Sequence, residues 1–408
     1  MLVNFFILLS TLFLVSGLAL DVGMLQLRKL QIQHAADAAA LGATCERARG
    51  YSDWVAAGKA DAALNGFTNG VNGVAISIVS PPTGSAATSN PNGIQVTISQ
   101  TYHTAFMGLV SGSATSTPGA SSIANAQPVP DCVYIMNSQN QPFPFENVTY
   151  SGFYSSCNIY VNNDGFSIYN DSGSTLSASG YAIKSTSSST AGSLLEGPVN
   201  PTPSWNSLVE IDPLAWETAP TFSSCTYTSK TVTNSSATLN PGTYCGGITL
   251  NNATVTFNPG LYIVTGGMTW ENGSTITGTG VTFYLTTGGG FGYANFNIEN
   301  STVTLSAPTS TSGGGLTGIV FFGDRNWSAQ MAQDVQVLSS YVVTDGIWYF
   351  LNTGIYNYTS TIKGTNYIGI ITDNILTKYA TFTIPSPNYA SLSGGSPYQG
   401  NNTPVLAQ

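Results

Sequence analysis

Charged residues are scarce in this sequence. They make up 7% of the 408 residues, whereas an average soluble protein has roughly a quarter. The formal net charge is −9, and its whole excess lies from Asp131 onward, where 14 acidic residues face five basic ones. A chain with so few cations lacks the basic stripe that neutralises phosphates, so nucleic acid is excluded as a partner.

Residues that carry out catalysis are equally sparse. Only two histidines occur, and no HExxH, GxSxG or P-loop motif is found. The acidic residues are scattered singly, although a glycosidase needs two carboxylates across the scissile bond. Asp324 and Arg325, before Trp327, are the most suggestive spot for a carbohydrate-active enzyme, but a turn or strand-end salt bridge is the preferred interpretation. The sequence therefore predicts no enzyme and no cofactor.

Metal-binding patterns are also weak. His34 and His103 are far apart in the sequence, and the cysteines form no CxxC motif. The turns at residues 162–165 and 170–173 offer oxygen ligands for calcium, yet neither follows the spacing of a known calcium loop. We interpret both as ordinary Asx turns and predict no metal site.

Hydrophobic residues, in contrast, are plentiful. They make up 42% of the chain, which excludes disorder as the default and allows two or three domains with real cores. The 44 glycines and 20 prolines indicate a fold with many turns. Five tryptophans that could stack on sugars are expected to be mostly packed: Trp205, Trp216, Trp270, Trp327 and Trp348.

The chain has five cysteines, four of them in its β-rich part. This even number indicates two disulfides formed in an oxidising compartment. Three pairings are possible, and the short loops favour Cys132 with Cys157 and Cys225 with Cys245, which leaves Cys45 over. Five buried free thiols are the alternative.

The N-terminal segment is strongly apolar. Residues 2–20 carry no charge and come close to the roughly 20 residues that cross a bilayer as a helix. Nothing basic precedes this run, so we expect it to remain uncleaved. Helical composition without proline continues, which predicts one helix from Met1 to about Cys45, about 70 Å long. Residues expected to pack in a filament core or a membrane are Phe5, Phe6, Leu9, Leu12, Phe13, Leu18, Asp21 and Arg28.

The next segment predicts a small α/β unit. A short helix is expected from Ser52, its N-cap, to Asn65 and Gly66. Alternating residues predict strands at Val74–Val79 and Gly93–Gln100, separated by a Pro-Pro-Thr-Gly turn.

From Asp131 onward, short β-branched runs alternate with turns. The unit Asn240–Phe257 is followed by similar units with a period near 20 residues, which favours a parallel β-helix over an antiparallel sandwich. Asn252, Asn272 and Asn300 recur near turns, where Asn tolerates positive φ and could stack as a ladder. Only 204–214 has any helical character.

The segment Gly17–Ala43, GLALDVGMLQLRKLQIQHAADAAALGA, resembles the N-terminal signature of the TadG-like Tad pilus-assembly proteins. The resemblance rests on Gly17-Leu18-Ala19, Asp21, Gly23, Arg28, Gln33 and the alanine run ending at Ala40. It continues through CVYIMNSQ at Cys132, LNPGTYCGGITL and GIVFFGDR, and so covers almost the whole chain. It implies the paired cysteines and the β-helix, but no enzymatic activity.

These observations predict a mainly β protein with a long N-terminal helix. The expected domains are a helix at 1–50, a small α/β linker at 51–130 and a right-handed parallel β-helix at 131–408. The expected function is a structural subunit of an extracellular pilus-like filament that serves adhesion. Its expected partners are copies of itself, the inner membrane before assembly, and surface glycans. The alternative is a membrane-anchored Tad-type assembly or adhesion factor that does not polymerise.

Overall fold

The computed structural model describes residues 2–48, 53–83, 93–128, 131–138, 140–163, 165–188, 193–222, 224–311, 314–327, 334–389, 391–393, 396–398 and 402–406. The chain divides into two compact units. The first contains residues 1–129 together with 399–408, and the second contains Pro130–Tyr398.

The first unit is built on one long helix, α1 (Leu2–Ala48), which confirms the predicted N-terminal helix. Its 47 residues span about 70 Å. The second half of α1 turns a stripe of small residues inward, which lets neighbouring backbones approach closely. The fully buried residues of this stripe are Ile32, Ala35, Ala36, Ala39, Ala40 and Ala43.

A second helix and a four-stranded antiparallel sheet cover this stripe. The elements are α2 (Trp54–Leu64), β1 (Val74–Val79), β2 (Ile94–Gln100), the short pair β3 (Tyr102–His103) and β4 (Thr115–Ser116), α3 (Met107–Ser111) and β5 (Gly119–Pro128). The sheet order is β1, β2, β5 and then β33 (Asn402–Leu406). Alternate residues of β2 point into the core with Ile94, Val96 and Ile98.

Two features of this unit differ from the sequence prediction. The predicted N-cap, Ser52, lies outside the described residues, and Asp53 precedes α2 without a side-chain capping bond. The predicted domain 131–408 loses its last residues, because β33 pairs with β5 in the first unit. Pro404 cannot donate a ladder hydrogen bond, and it is tolerated because β33 is an edge strand.

The strands of the second unit, as far as the structure describes them, have two to ten residues and pair in parallel. Its first part contains β6 (Asp131–Ile135), β7 (Phe145–Val148), β8 (Gly152–Ser155), β9 (Asn158–Val161), β10 (Ile168–Asn170), β11 (Thr175–Ser177), β12 (Ile183–Ser185), β13 (Leu194–Leu195) and β14 (Val199–Asn200). Its second part contains β15 (Tyr227–Thr233), β16 (Ser236–Leu239), β17 (Gly242–Asn251), β18 (Thr254–Phe257), β19 (Gly260–Thr265), β20 (Met268–Glu271), β21 (Thr275–Thr279), β22 (Val281–Thr286), β23 (Phe296–Glu299), β24 (Thr302–Ser306), β25 (Ile319–Gly323), β26 (Val335–Leu338), β27 (Tyr341–Phe350), β28 (Ile355–Tyr358), β29 (Thr361–Lys363), β30 (Ile368–Thr372), β31 (Ile375–Lys378) and β32 (Thr381–Ile384).

These strands form a parallel β-helix, as predicted, and not the antiparallel sandwich; its handedness stays a prediction. Each strand pairs with its equivalent in the next coil, as Thr254 does with Thr275 and Thr275 with Thr302. Period-2 alternation points every second side chain inward, where like residues stack from coil to coil. On one face the fully buried residues Val255, Ile276, Val303 and Val342 form such a row.

The turn before this face shows why asparagine recurs in the sequence. Asn234, Asn252, Asn272 and Asn300 occupy equivalent turns and have φ between 47° and 55°. The left-handed conformation is costly for most side chains but accessible to Asn. The Asn252 amide donates to Asn234 Oδ1 at 2.8 Å. The predicted positive φ is therefore confirmed, with a side-chain hydrogen bond between the two neighbouring coils that contain Asn234 and Asn252.

The coils do not stack in chain order. The first coil, β6 to β8, pairs with the last, β30 to β32, and the coils after β8 extend the stack beyond it. The coil beginning at β15 lies at the opposite end. Residues 201–226, which we call the return segment, must therefore carry the chain back along the stack. They contain turns but no helix among the described positions, so the weak helical character at 204–214 is not realised.

Candidate assembly and surface sites

The first half of α1 exposes its apolar side chains. Phe5, Phe6, Leu12 and Phe13 are each at least 60% exposed, and Leu9 and Leu18 are partly exposed. The helix is long and apolar enough to cross a membrane, as judged by length and composition. These six residues therefore form a surface that water disfavours.

Asp21, directly after the apolar run, is held by the segment that precedes α3. Its carboxylate accepts hydrogen bonds from the backbone N–H groups of Ala105, Phe106 and Met107, at 3.1, 2.7 and 2.6 Å. One turn earlier, Gly17 contacts the Phe106 ring, and a Cβ at that position would collide with the ring. These contacts fix residues 105–107 against α1, and Asp21 is only 8% exposed.

Arg28 is half-buried in the first unit. Its Nε donates to Gln100 Oε1 at 2.7 Å and its guanidinium lies 4.7 Å from the Phe67 ring centroid. Arg28 thus attaches α1 to the end of β2 and is not part of the exposed apolar surface predicted for α1. Sequence reasoning missed this contact because Gln100 lies 72 residues away.

The second unit contains two disulfides, in the pairing favoured from the sequence. Cys132 is bonded to Cys157 and Cys225 to Cys245, with Cα separations of 5.9 and 5.6 Å. The first joins neighbouring coils at β6 and β9, and the second fixes the end of the return segment to β17. Cys45, in α1, is a free thiol.

Arg325 clamps the middle of the return segment. Its guanidinium donates to the carbonyl oxygens of Leu214 at 2.6 Å and Glu217 at 3.0 Å. Its Nε donates to Tyr349 Oη at 2.7 Å and lies 3.5 Å from Asp212 Oδ2. The Tyr349 hydroxyl in turn donates to Asp212 at 2.7 Å. Burial, and then the Asp212 charge, raise the pKa of Tyr349 well above its usual value.

Asp324, the candidate carboxylate for a carbohydrate-active enzyme, accepts hydrogen bonds from neighbouring residues of its own unit. It accepts from the hydroxyls of Thr286 at 2.6 Å and Tyr284 at 3.0 Å, and from the backbone N–H of Asn326 at 2.9 Å. Burial raises the pKa of its carboxyl, but these hydrogen bonds outweigh burial and leave the pKa below its usual value. The salt bridge of Arg325 is made with Asp212 and not with Asp324.

The candidate calcium turns use their side chains internally. Asn170 is fully buried, and its Oδ1 accepts from the Asn147 amide at 2.7 Å. Asp164 lies outside the described residues. Within the described part of the chain, no group of three or more His, Cys, Asp or Glu side chains could hold a metal ion.

The aromatic residues are mostly interior. Trp270, Trp327 and Trp348 are buried, as expected for packing, while Trp216 is 46% exposed. A polar groove with a volume of about 470 Å³ lies on the surface of the second unit. It is lined by Asn300, Ser301, Thr302, Ser339, Ser340, Tyr341, Thr359 and Thr361. Tyr341 is 42% exposed there, which combines hydroxyl groups with an aromatic face.

Comparison with known proteins gives a family for the N-terminal segment. The Tad family model, described as Flp pilus-assembly TadE/G-like, matches residues 2–57. No curated protein and no solved structure gave a significant match. The matched residues include α1 with its exposed apolar surface, Asp21 and Arg28. Over residues 2–57 the chain therefore carries a Tad domain of the TadE/G-like pilus-assembly family.

Proposed function

We propose that this chain is the structural subunit of an extracellular pilus-like filament. In this proposal the apolar half of α1 packs against its copies in the filament core, and the β-helix is displayed outside. The Tad domain supports a role connected with pili. The second unit supports the displayed role, because its coils are fixed by two disulfides and carry few charges.

The observation that carries the proposal is the exposure of α1 around its whole circumference. Every side chain from Ser10 to Ser16 is exposed, and 3.6 residues complete one helical turn. Over this stretch, no side of the helix is therefore covered by the described part of its own chain. A helix that is apolar all round must be surrounded, either by lipid or by other helices.

The second candidate is a membrane-anchored pilus-assembly or adhesion factor that does not polymerise. It is favoured by the length of the apolar run, since 19 residues span about 28 Å, close to a hydrocarbon core of about 30 Å. Both candidates place the chain in a membrane before or during its function, and they differ in what finally surrounds α1.

Shearing of cells that produce the full chain separates the two candidates. The filament proposal expects extracellular fibres with this chain as the major band, and loss of the fibres in Phe13→Glu. Leu64→Glu is the matched control, because Leu64 is 85% exposed at the end of α2 and lies outside the apolar run. Deletion of residues 1–20 should leave a soluble monomer. A chain found only in the membrane fraction would exclude the filament.

For adhesion, we propose that the groove beside Tyr341 binds neutral surface glycans. Its lining offers hydroxyl donors and acceptors, and the ring provides a face on which a sugar can stack. Glycan-array binding should fall in Tyr341→Ala and persist in Tyr154→Ala, whose tyrosine is 43% exposed on the same face of the β-helix. Equal binding by both variants would exclude this groove.

A further inference from the structure

Phe106 and Leu109 form an apolar surface directly beside the end of the apolar run. Phe106 is 36% exposed and Leu109 is 75% exposed. Both belong to the segment that Asp21 and Gly17 hold against α1. This exposed surface is continuous with the exposed surface of α1, because the Phe106 ring lies on the helix at Gly17.

The position of the contact between Phe106 and Gly17 along α1 determines how deep Phe106 would lie in a bilayer that α1 crosses. Gly17 lies four residues before Asp21, or about 6 Å along the helix axis toward the apolar end. If residues 2–20 cross the hydrocarbon core, Phe106 lies just inside its edge and Leu109 lies nearby. Asp21 can be placed at this edge because its carboxylate accepts three backbone hydrogen bonds and is nearly removed from solvent. An unpartnered carboxylate would be costly there.

The next charges along α1 fit the same arrangement. Arg28 and Lys29 follow Asp21 by seven and eight residues, which places them about 11 Å further from the core. Lys29 is exposed, so its ammonium group is free to meet lipid headgroups. Apolar side chains at the hydrocarbon edge followed by basic ones at headgroup level are the order that interfacial segments show.

We propose that residues 105–111 lie in the interfacial region of a phospholipid bilayer and fix the depth at which α1 crosses it. This inference rests on the proposed membrane entry of α1 and adds a second lipid contact to it. The apolar run is slightly shorter than the hydrocarbon core. The apolar side chains of Phe106 and Leu109 beside its end compensate for this mismatch. Asp21 and Gly17 act as positioning residues for the segment that carries these two side chains.

Fluorescent labels on single cysteines of the full chain in phosphatidylcholine vesicles test the proposal. In a Cys45→Ser background, the label is attached to Leu109→Cys, Leu64→Cys or Leu12→Cys. The label at position 109 should show blue-shifted emission and quenching by lipids with a headgroup nitroxide several-fold stronger than the label at 64. Leu64 is the matched control, because it is an equally exposed leucine of the same unit. Equal quenching at positions 109 and 64 would overturn the proposal.

The label at position 12 separates this proposal from the proposed function. Quenching at 12 by acyl-chain nitroxides, without quenching at 109, would overturn the interfacial contact and leave membrane insertion intact. Absence of quenching at 12 would overturn membrane insertion itself. Blue-shifted emission at 109 that no lipid nitroxide quenches would show that a second copy of the chain covers this surface, and would also overturn the proposal.

A substitution at Asp21 tests the positioning role. Asp21→Asn keeps the side-chain shape but weakens the hold on the three backbone N–H groups, since one oxygen becomes an amide nitrogen. Quenching at 109 should fall in this variant while quenching at 12 is kept. Asp37→Asn removes the same charge further along α1 and should change neither. Unchanged quenching at 109 in Asp21→Asn would show that Asp21 does not position the segment.

Discussion

Arg325 shows how one side chain can organise a connection that has no regular structure. Its guanidinium satisfies two backbone carbonyl groups of the return segment, pairs with Asp212, and lies over the rings of Phe322 and Tyr349. Such a fork can serve several acceptors at once because its donors lie in one plane. The irregular segment is thus fixed at its middle by a residue of the β-helix.

Replacing Arg325 with alanine should therefore destabilise the second unit. The change leaves Asp212 without its cation and two carbonyl groups without their donor, so the free energy of unfolding should fall by about 3 kcal/mol. Urea titration followed by tryptophan fluorescence measures this. Lys230→Ala, which removes another cation of the same unit, should change the value by less than about 0.5 kcal/mol. Equal effects would show that Arg325 is not a clamp.

Asp324 gives a pH dependence with a defined sign. Its folded-state pKa is lowered, so the ionised carboxylate stabilises the fold at neutral pH, and this contribution is lost as the pH falls from about 3.9 through the folded-state value. Asp324→Asn should be less stable than the parent at pH 7, and the gap should narrow at pH 3. Urea titrations at both pH values measure it, with the exposed Glu299→Gln as control. If turnover of a polysaccharide also disappeared, the enzyme alternative would be supported.

The left-handed turn residues predict a different response. Asn300 has φ of 47°, a conformation in which a β-carbon without a polar side chain is disfavoured. Asn300→Ala should lower the free energy of unfolding by about 1 kcal/mol. Asn300→Gly should be nearly neutral, because glycine adopts positive φ readily. If both substitutions lower the free energy of unfolding equally, the side-chain contacts of Asn300 contribute more to stability than its backbone conformation.

At the scale of elements, the strands of the β-helix were predictable where their spacing is regular. Units near 20 residues from Asn240 onward repeat the same turn and the same inward residues, so one period determines the next. The coils at 131–200 lack this regularity, and their pairing with β30 to β32 joins residues that lie more than 200 positions apart. No local pattern encodes that pairing.

The surface sites were predictable to a smaller degree. The apolar residues 2–20 predict the exposed half of α1. The short loops between Cys132 and Cys157 and between Cys225 and Cys245 favour the observed disulfides. Asp21 was recognised only through a family resemblance, because its partners are backbone N–H groups 84 to 86 residues away. The strand β33 shows no alternation of polar and apolar residues and contains a proline, so its sequence does not distinguish it from the preceding domain.

The disulfide between Cys225 and Cys245 should matter most for the end of the return segment. The pair Cys225→Ser and Cys245→Ser removes the link that joins this end to β17, and should lower the free energy of unfolding by about 3 kcal/mol. Hydrogen exchange should rise first in residues 214–226. The matched pair Cys132→Ser and Cys157→Ser should leave that segment protected. Protection that is unchanged in both would show that Arg325 alone holds the segment.

At the scale of the whole molecule, the second unit is inserted, in chain order, between two strands of the first unit's sheet. The chain leaves the sheet after β5 and returns as β33, and these two strands are antiparallel neighbours from Asn402 with Pro128 to Leu406 with Ala124. Deleting residues 399–408 should therefore expose the edge of β5 and weaken the first unit, while the β-helix keeps its stability. Hydrogen exchange should increase in β5 and stay unchanged in β30. An increase confined to β30 would contradict the observed division.

This insertion bears on how such a protein would withstand damage outside a cell. A single proteolytic nick near residue 130 would not by itself release the second unit, because the opposite end of that unit continues into β33, which stays hydrogen-bonded to β5. Release would need a second nick, or the unzipping of one strand from its neighbour. Tension applied to the second unit would likewise be divided between two peptide connections that end side by side in one sheet.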